Sequence, residues 1–143
     1  MPSKPKRYAE GTAVPVDRSL AEIRGHMKRW GGEGFMHMED PDTGDVRIGF
    51  RLKASLYRFP LPMPQRKDFD YDSTFNAEVR RRWRVLAAFT KAQLFGIEEV
   101  LIAAEKALLP FRVLAGGSTL AELMDEGHLD RMLALPSGAA KAS

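Results

Sequence analysis

The stretch that decides the fold runs from Thr74 to Leu109 and reads TFNAEVRRRWRVLAAFTKAQLFGIEEVLIAAEKALL. Apolar or small residues recur in it at steps of three and four, which is the period of one face of an α-helix. No proline interrupts the stretch, and Ala, Leu, Glu, Arg and Lys, which favour helix, dominate it. The pattern predicts one long helix over 74–109, with Gly96 as its weak point. The predicted buried stripe is Phe75, Val79, Trp83, Leu86, Thr90, Leu94, Ile97, Leu101, Ala104 and Leu108.

An earlier helix is predicted from about Asp17 to Trp30. Ser19 and Glu22 have the spacing of a capping box, and Asp17 is an alternative N-cap. The apolar residues that follow have helical spacing, and Gly31-Gly32 is a helix stop. These apolar residues are Leu20, Ile23, Met27 and Trp30.

Three short strands are predicted between the two helices, over Gly34–Glu39, Asp45–Leu52 and Leu56–Leu61. The second strand alternates apolar and polar residues, which is typical of a strand with one buried face. Lys53-Ala54 is short enough for a tight hairpin connection. Pro60 cannot donate to a ladder, so the third strand is expected to lie or end at a sheet edge.

A small appendix follows the long helix. Phe111–Leu114 is predicted to be extended, Thr119 and Glu122 form a second capping-box pattern, and His128–Leu135 is predicted to add one or two helical turns. The predicted fold class is α+β, with a helix, a three-stranded antiparallel meander, a long helix and a small C-terminal helical appendix. We expect the helices to stack on one face of the sheet.

The predicted domain organisation is simple. Residues 1–13 are a flexible basic arm, 14–135 form a single α-β-β-β-α domain with its appendix from about residue 111, and 136–143 are a flexible tail. At 143 residues the chain is long enough for one core. It has no cysteine and no apolar run long enough to span a bilayer, so we expect a cytoplasmic protein with no membrane contact.

No pattern of catalytic or cofactor-binding residues stands out. His37 and Glu39 fall on one strand face, but a third metal ligand at recognisable spacing is missing. The acidic segment 40–45 is better explained as a hairpin turn than as a calcium loop. We therefore predict a protein that is not an enzyme, with no cofactor and no metal site.

Two groups of cations point to nucleic acid. Between Arg80 and Lys91 there are five cations and no acid, and three of them share one flank of the helix; a second group alternates along the second strand. Arginine suits phosphate because its planar fork can bond two oxygens at once. The candidate nucleic-acid-binding residues are Arg80, Arg84, Lys91, Arg47, Arg51 and Lys53. Tyr57, Phe59 and Trp83 are nearby aromatics that could stack on bases, but Trp83 falls on the predicted buried stripe and is expected to be buried. The alternative is an ordinary solvated basic face, and DNA and RNA are equally open.

A second hypothesis is a protein-interaction module. Phe95 and Ile102 lie seven residues apart, and so on one face of the long helix, but off its main stripe. Either the appendix covers them, through Leu120, Leu123 and Met132, or they form an interface with a second copy or with a host protein.

Several short segments of the sequence resemble those of a known protein family. Tyr8–Val16, Phe59–Pro62 and Arg82–Arg84 resemble an uncharacterised family of small proteins encoded by bacteriophages and prophages. The same resemblance includes Ser19, Glu22-Ile23 and Lys91-Ala92, and it covers most of residues 8–109. It implies a phage context, and hence the cytoplasm of a host cell, but no functional residue.

Overall fold

The computed structural model describes residues 5–127. The predicted α+β fold is confirmed: a helix, a three-stranded antiparallel sheet, a long helix and small helices follow one another. The predictions for residues 1–4, for His128–Leu135 with Met132, and for 136–143 lie outside the described residues. The elements are α1 (Val16–Arg29), β1 (Glu33–Glu39), β2 (Val46–Leu52), β3 (Ser55–Leu61), α2 (Asp72–Glu98), α3 (Ala104–Ala107) and α4 (Leu120–Asp125), with 3-10 turns at Arg66–Asp68 and Leu109–Phe111.

The sheet has the order β1-β2-β3, and both pairings are antiparallel. The predicted alternation of β2 is confirmed, since the buried side chains of Val46, Ile48, Phe50 and Leu52 form the inner face that packs under α1 and α2. Arg47 and Arg51 point to the opposite side, which we call the outer sheet face. A bulge between Glu33 and Met36 adds one residue to β1, and Gly34 accommodates it with φ +66°.

The start of α1 differs from the prediction. Pro15 occupies the N-cap position and the helix begins at Val16, with no side chain capping it. Ser19 is fully buried inside the helix, where it lies 3.4 Å from the Arg84 guanidinium. The capping-box prediction for Ser19 is therefore wrong, because a fixed proline φ can open a helix without a cap. The predicted stop at Gly31-Gly32 is confirmed by the hydrogen bond from the Gly32 N–H to the Met27 carbonyl, 2.8 Å.

The long helix ends eleven residues before the predicted boundary, at Glu98 rather than at Leu109. The Leu101 N–H bonds the Gly96 carbonyl at 3.0 Å and the Val100 N–H bonds the Ile97 carbonyl at 3.1 Å. These two bonds form a Schellman motif, which needs a left-handed residue at its turn. Val100 supplies it with φ +58°, an unfavourable conformation for a β-branched residue. The apolar period continues past the turn, so periodicity alone could not locate this end.

One core joins the sheet to the two long helices. The aromatic residues Trp30, Phe50, Tyr57 and Phe59 are buried against one another, with ring centroids 5.5–6.0 Å apart in four contacts. Of the residues that the helix and strand patterns place on apolar faces, Trp30, Ile48, Phe50, Trp83 and Leu86 are buried, and Ile97 is half-buried against the same cluster.

The appendix returns to the sheet. The Val113 N–H donates to the Leu56 carbonyl at 2.8 Å, and Arg112 bridges to Tyr57, so a short extended segment flanks β3. The predicted extension of Phe111–Leu114 is confirmed there but not at Phe111, which belongs to a 3-10 turn. The predicted capping box of Thr119 and Glu122 is confirmed at the start of α4. The Arg58 side chain extends from the outer sheet face to α4 and donates two hydrogen bonds to the Glu122 carboxylate, at 2.8 and 2.6 Å. The appendix therefore covers the β3 side of that face.

Candidate nucleic-acid and protein interfaces

A single buried carboxylate organises the cations at the start of α2. Glu78 is only 8% exposed, and Arg81 bonds both its oxygens at 3.0 and 2.8 Å. Arg82 and Arg7 each add one bond to it, at 3.2 Å. Charge-assisted hydrogen bonds of this kind are stronger than bonds between neutral groups. Arg7, Arg81 and Arg82 therefore already have a strongly bound anionic partner in Glu78.

The pKa of Glu78 reflects this environment. The hydrogen bond from Arg81 is the largest cause, and with Arg82 it lowers the pKa to about 2 from the ordinary value of 4.5. Burial acts in the opposite direction but is outweighed. Glu78 is therefore ionised at neutral pH and balances the arginines that surround it.

The three candidates on the flank of α2 have partners of their own. Arg80 donates to the Thr12 carbonyl at 3.2 Å, and Arg84 donates to the Glu22 carboxylate of α1 at 2.8 Å. The Lys91 ammonium lies 5.7 Å from the centre of the Phe95 ring and is exposed to solvent. Of these three, only Lys91 keeps a charge that no carboxylate or carbonyl in residues 5–127 engages.

The contacts of Arg7 and Arg80 also hold the N-terminal arm. Arg7 reaches Glu78, and the Thr12 carbonyl accepts from Arg80, so residues 7–12 lie along α2. Within this segment the Glu10 N–H bonds the Arg7 carbonyl at 3.1 Å and the Thr12 N–H bonds the Ala9 carbonyl at 3.0 Å. Residues 7–12 of the predicted arm therefore contact α2 through Arg7 and Thr12, and its flexibility stays a prediction.

The candidates on β2 are arranged differently. Arg47 and Arg51 are exposed on the outer sheet face, and within residues 5–127 neither has a carboxylate oxygen within 4.0 Å. Lys53 lies in the hairpin turn with φ +56° and pairs with Glu105, whose hydrogen bond raises the Lys53 pKa. The structure therefore brings Arg47 and Arg51 together on an open surface and separates them from the α2 candidates, which lie on the other side of the sheet.

The predicted stacking aromatics are not available to bases. Tyr57, Phe59 and Trp83 are 0–3% exposed and belong to the core. The side chains of Tyr57 and Phe59 fall on the inner face because their register partners Phe50 and Ile48 are buried residues of β2, whereas Trp83 is buried from α2. An aromatic residue on a strand next to a cation is thus no sign of a stacking platform unless both share one face.

An exposed apolar surface lies at the end of α2, and we call it the α2-end patch. It consists of Phe95, Val100, Leu101 and Ile102. Val100 and Leu101 are 87% and 83% exposed, because the early helix end turns them away from the core. The described part of the appendix leaves Phe95 and Ile102 exposed, and Met132 lies outside the described residues.

Two grooves open along β1. The first, of about 740 Å³, separates α1 from the start of β1 and is lined by Leu20, Arg24, Lys28 and Phe35 among others; we call it the α1–β1 groove. The second, of about 500 Å³, contains His37 and Glu39 near Trp83. No three metal-ligating side chains come together anywhere in 5–127, so the second groove holds no candidate metal centre.

Sequence reasoning missed the carboxylates that bind the α2 arginines. For Glu78 a signal was present, since Arg81 and Arg82 follow it at three and four residues, the spacing at which side chains meet on a helix. For Glu22 there was none, because 62 residues separate it from Arg84. Long-range pairs of this kind require the packing of α1 against α2.

Comparison with protein-family models, with curated proteins and with solved structures finds no match. Within the described residues, none of the helices combines the length and the apolar character needed to cross a membrane.

Proposed function

We propose that this chain is a non-catalytic accessory protein, of the phage type that its resemblance implies, which contacts nucleic acid in the host cytoplasm. The observation that carries the proposal is the pair Arg47 and Arg51, exposed on the outer sheet face, where neither forms a salt bridge with a carboxylate of the described residues. Glu122, which is already bonded to Arg58, is near enough for the Arg47 charge to help lower its pKa. Arg47 and Arg51 are four residues apart on one strand face, with Gly49 between them, so their backbones lie about 13 Å apart along the strand. The two guanidinium groups can therefore each contact a separate phosphate of an extended strand of nucleic acid.

The contacts of the six predicted binding residues leave two of them as candidates for phosphate binding. Arg80, Arg84 and Lys53 have intramolecular partners, and Lys91 lies on the opposite side of the sheet from Arg47. Arg47 and Arg51 are therefore the residues expected to contact phosphates. Met36 and Met38 lie beside them on the same face and could pack against sugars or bases, because a thioether adapts to irregular surfaces.

The test is a titration of labelled single-stranded DNA, duplex DNA and duplex RNA, followed by fluorescence anisotropy at two salt concentrations. Two phosphate contacts predict a log–log salt slope of about −1.8 for duplex DNA and about −1.4 for single strands. The variant with Arg47→Glu and Arg51→Glu should lose binding. A matched control with Lys67→Glu and Lys106→Glu carries the same change in net charge on exposed cations elsewhere and should bind as the wild type does.

Either of two results removes this proposal. One is the absence of binding to all three nucleic acids at low salt. The other is an equal loss of affinity in both double variants, which would mean that net charge alone, rather than the outer sheet face, governs binding.

The second candidate is a protein-interaction module that uses the α2-end patch, for self-association or for a host protein. Its specific observation is the exposure of Val100 and Leu101 beside Phe95. Three neighbouring large apolar residues in water are unfavourable, at roughly 25 cal/mol for each Å² that a partner could bury. Sedimentation of the wild type and of Leu101→Ser separates the cases: a smaller assembly in the variant supports self-association through the patch, and identical behaviour excludes it.

A further inference from the structure

β1 is an edge strand that presents almost its whole surface to solvent. Six of its seven residues are exposed, and Phe35 is half-buried. Its outer edge pairs with no strand of the described chain. Proteins commonly protect such edges with lysine, proline, charged residues or bulges. Glu33–Glu39 contains no lysine or proline, and its bulge lies in its first half, which leaves Met36–Glu39 regular. An open edge of this kind is a template for a further strand.

The direction of the backbone groups follows from the ladder on the far side of the sheet. Because the Leu56 carbonyl accepts from the Val113 N–H, the backbone of Leu56 faces away from β2. Its register partner Arg51 therefore faces β1. In an antiparallel ladder this orientation alternates, so Gly49 and Arg47 also direct their backbone groups to β1.

The same alternation continues into β1. Met36 and Met38 are the register partners of Gly49 and Arg47, so their N–H and C=O groups are bonded within the sheet. Phe35, His37 and Glu39 then direct their backbone groups to the open edge. None of these groups makes a backbone hydrogen bond outside the β1–β2 ladder in residues 5–127.

We propose that a second copy of this chain pairs with β1 in antiparallel fashion, about a two-fold axis at His37. In this register His37 faces its own counterpart and Phe35 faces Glu39 of the second copy. The pairing satisfies the open edge with about six backbone hydrogen bonds. It is isologous, so every contact occurs twice.

Charge complementarity supports this occupant and this register. The Arg24 guanidinium lies 4.4 Å from the centre of the Phe35 ring, and neither Arg24 nor Glu39 has an ion-pair partner among the described residues. Directly opposed residues on one sheet face have Cβ atoms about 5 Å apart. Glu39 of the second copy therefore arrives beside Phe35, within reach of Arg24, and the α1–β1 groove leaves room for it.

The outer side of the strand is self-complementary as well. Met36 and Met38 are 38% and 41% exposed, and the register about His37 places Met36 against Met38 of the second copy. A register about Met36 would instead oppose Glu33 and Glu39, two like charges. The side chains of β1 therefore favour the His37 register over its neighbour.

The resulting assembly has one continuous six-stranded sheet. It sets two outer sheet faces side by side, with the two β2 strands about 14 Å apart. Four exposed arginines that form no salt bridge within residues 5–127 then share one surface, which would raise the affinity for an extended polyanion. The dimer itself does not depend on nucleic-acid binding, and its test uses the protein alone.

The test is sedimentation equilibrium of the full chain, with circular dichroism to show that each variant is folded. Arg24→Glu and Glu39→Arg should each weaken dimerisation by about tenfold or more, because each sets two like-charge contacts across the two-fold axis. The double reversal should restore the dimer. Arg24 and Glu39 form no ion pair within one chain, so an intramolecular effect cannot account for such a rescue.

Met38→Lys is a second probe, since it adds an edge lysine without touching the buried core, and it should also give a monomer. A wild-type chain that stays monomeric at 100 µM and above overturns the proposal. So does a dimer that none of these variants weakens, or one that only Leu101→Ser dissociates, which would assign the interface to the α2-end patch. Loss in both single reversals with no recovery in the double reversal overturns the register.

Discussion

The arginines of α2 and those of β2 have the same chemistry but different surroundings. Arg81 and Arg84 are 16% and 18% exposed at the side chain and bind Glu78 and Glu22. Arg47 and Arg51 are exposed on the outer sheet face and form no salt bridge with a carboxylate of the described chain. The denser cation cluster in the sequence is therefore the one whose charge is used inside the molecule.

This difference shows that a run of cations does not measure the charge available to a partner. A buried carboxylate needs several donors, because an unpaired charge out of water costs several kcal/mol. Glu78 recruits Arg7, Arg81 and Arg82 for this reason. A sparse pair on an open strand face can consequently be the better candidate for binding phosphate.

The largest expected effect is the removal of the carboxylate. Glu78→Gln keeps the size of the side chain but leaves the partly buried Arg81 without its counter-charge, so the free energy of unfolding should fall by about 3 kcal/mol. Urea unfolding monitored by circular dichroism measures it. Glu98→Gln, which removes a more exposed pair with Arg29, is the control and should cost less than about 1 kcal/mol. Equal losses of unfolding free energy in the two variants would mean that the buried Glu78 cluster stabilises the fold no more than the exposed Arg29–Glu98 pair does.

The second effect is the dependence of stability on pH. Because the folded pKa of Glu78, about 2, lies below its ordinary value of 4.5, its contribution is complete above pH 4.5 and is lost as the pH falls toward 2. The loss should reach about 2 to 3 kcal/mol. Urea titrations at several pH values would show it, and Glu78→Gln should flatten the curve in this window. A variant that retains the full acid sensitivity of the wild type would assign the effect to other carboxylates.

A smaller effect is expected from one arginine of the cluster. Arg81→Ala removes two charge-assisted bonds to Glu78, but Arg82 and Arg7 remain to compensate the carboxylate. The expected loss of unfolding free energy is about 1 to 2 kcal/mol. Thermal and urea denaturation both report it. A loss below about 0.5 kcal/mol would mean that the bidentate pair contributes no more than a surface pair.

The smallest effect on stability belongs to β2. Arg47→Ala and Arg51→Ala should each change the unfolding free energy by less than about 0.5 kcal/mol, since neither side chain has an ion-pair partner in residues 5–127. The same urea series measures it beside Arg81→Ala. A cost comparable to that of Arg81→Ala would show that these residues serve the fold, and would weaken their assignment to a binding surface.

Much of the fold could be predicted from local pattern. The period of two in β2, the period of 3.6 in the first part of α2 and the Thr119–Glu122 capping box all report on neighbours in sequence, and the structure confirms each of them. The sheet order followed from short connections such as Lys53-Ala54. The end of α2 did not follow, because the valine that adopts the left-handed turn is a residue that normally avoids it.

The candidate sites divide in the same way. Composition and alternation by themselves determined that Arg47 and Arg51 lie on the polar face of a strand, because side chains on a strand alternate with a period of two. Only the tertiary structure decided that Arg84 meets Glu22, that Tyr57 and Phe59 are buried, and that β1 keeps an open edge. The physical reason is that these facts depend on which surfaces come together. A charge is neutralised, or an edge is left free, by groups that are distant in the chain and adjacent only after folding.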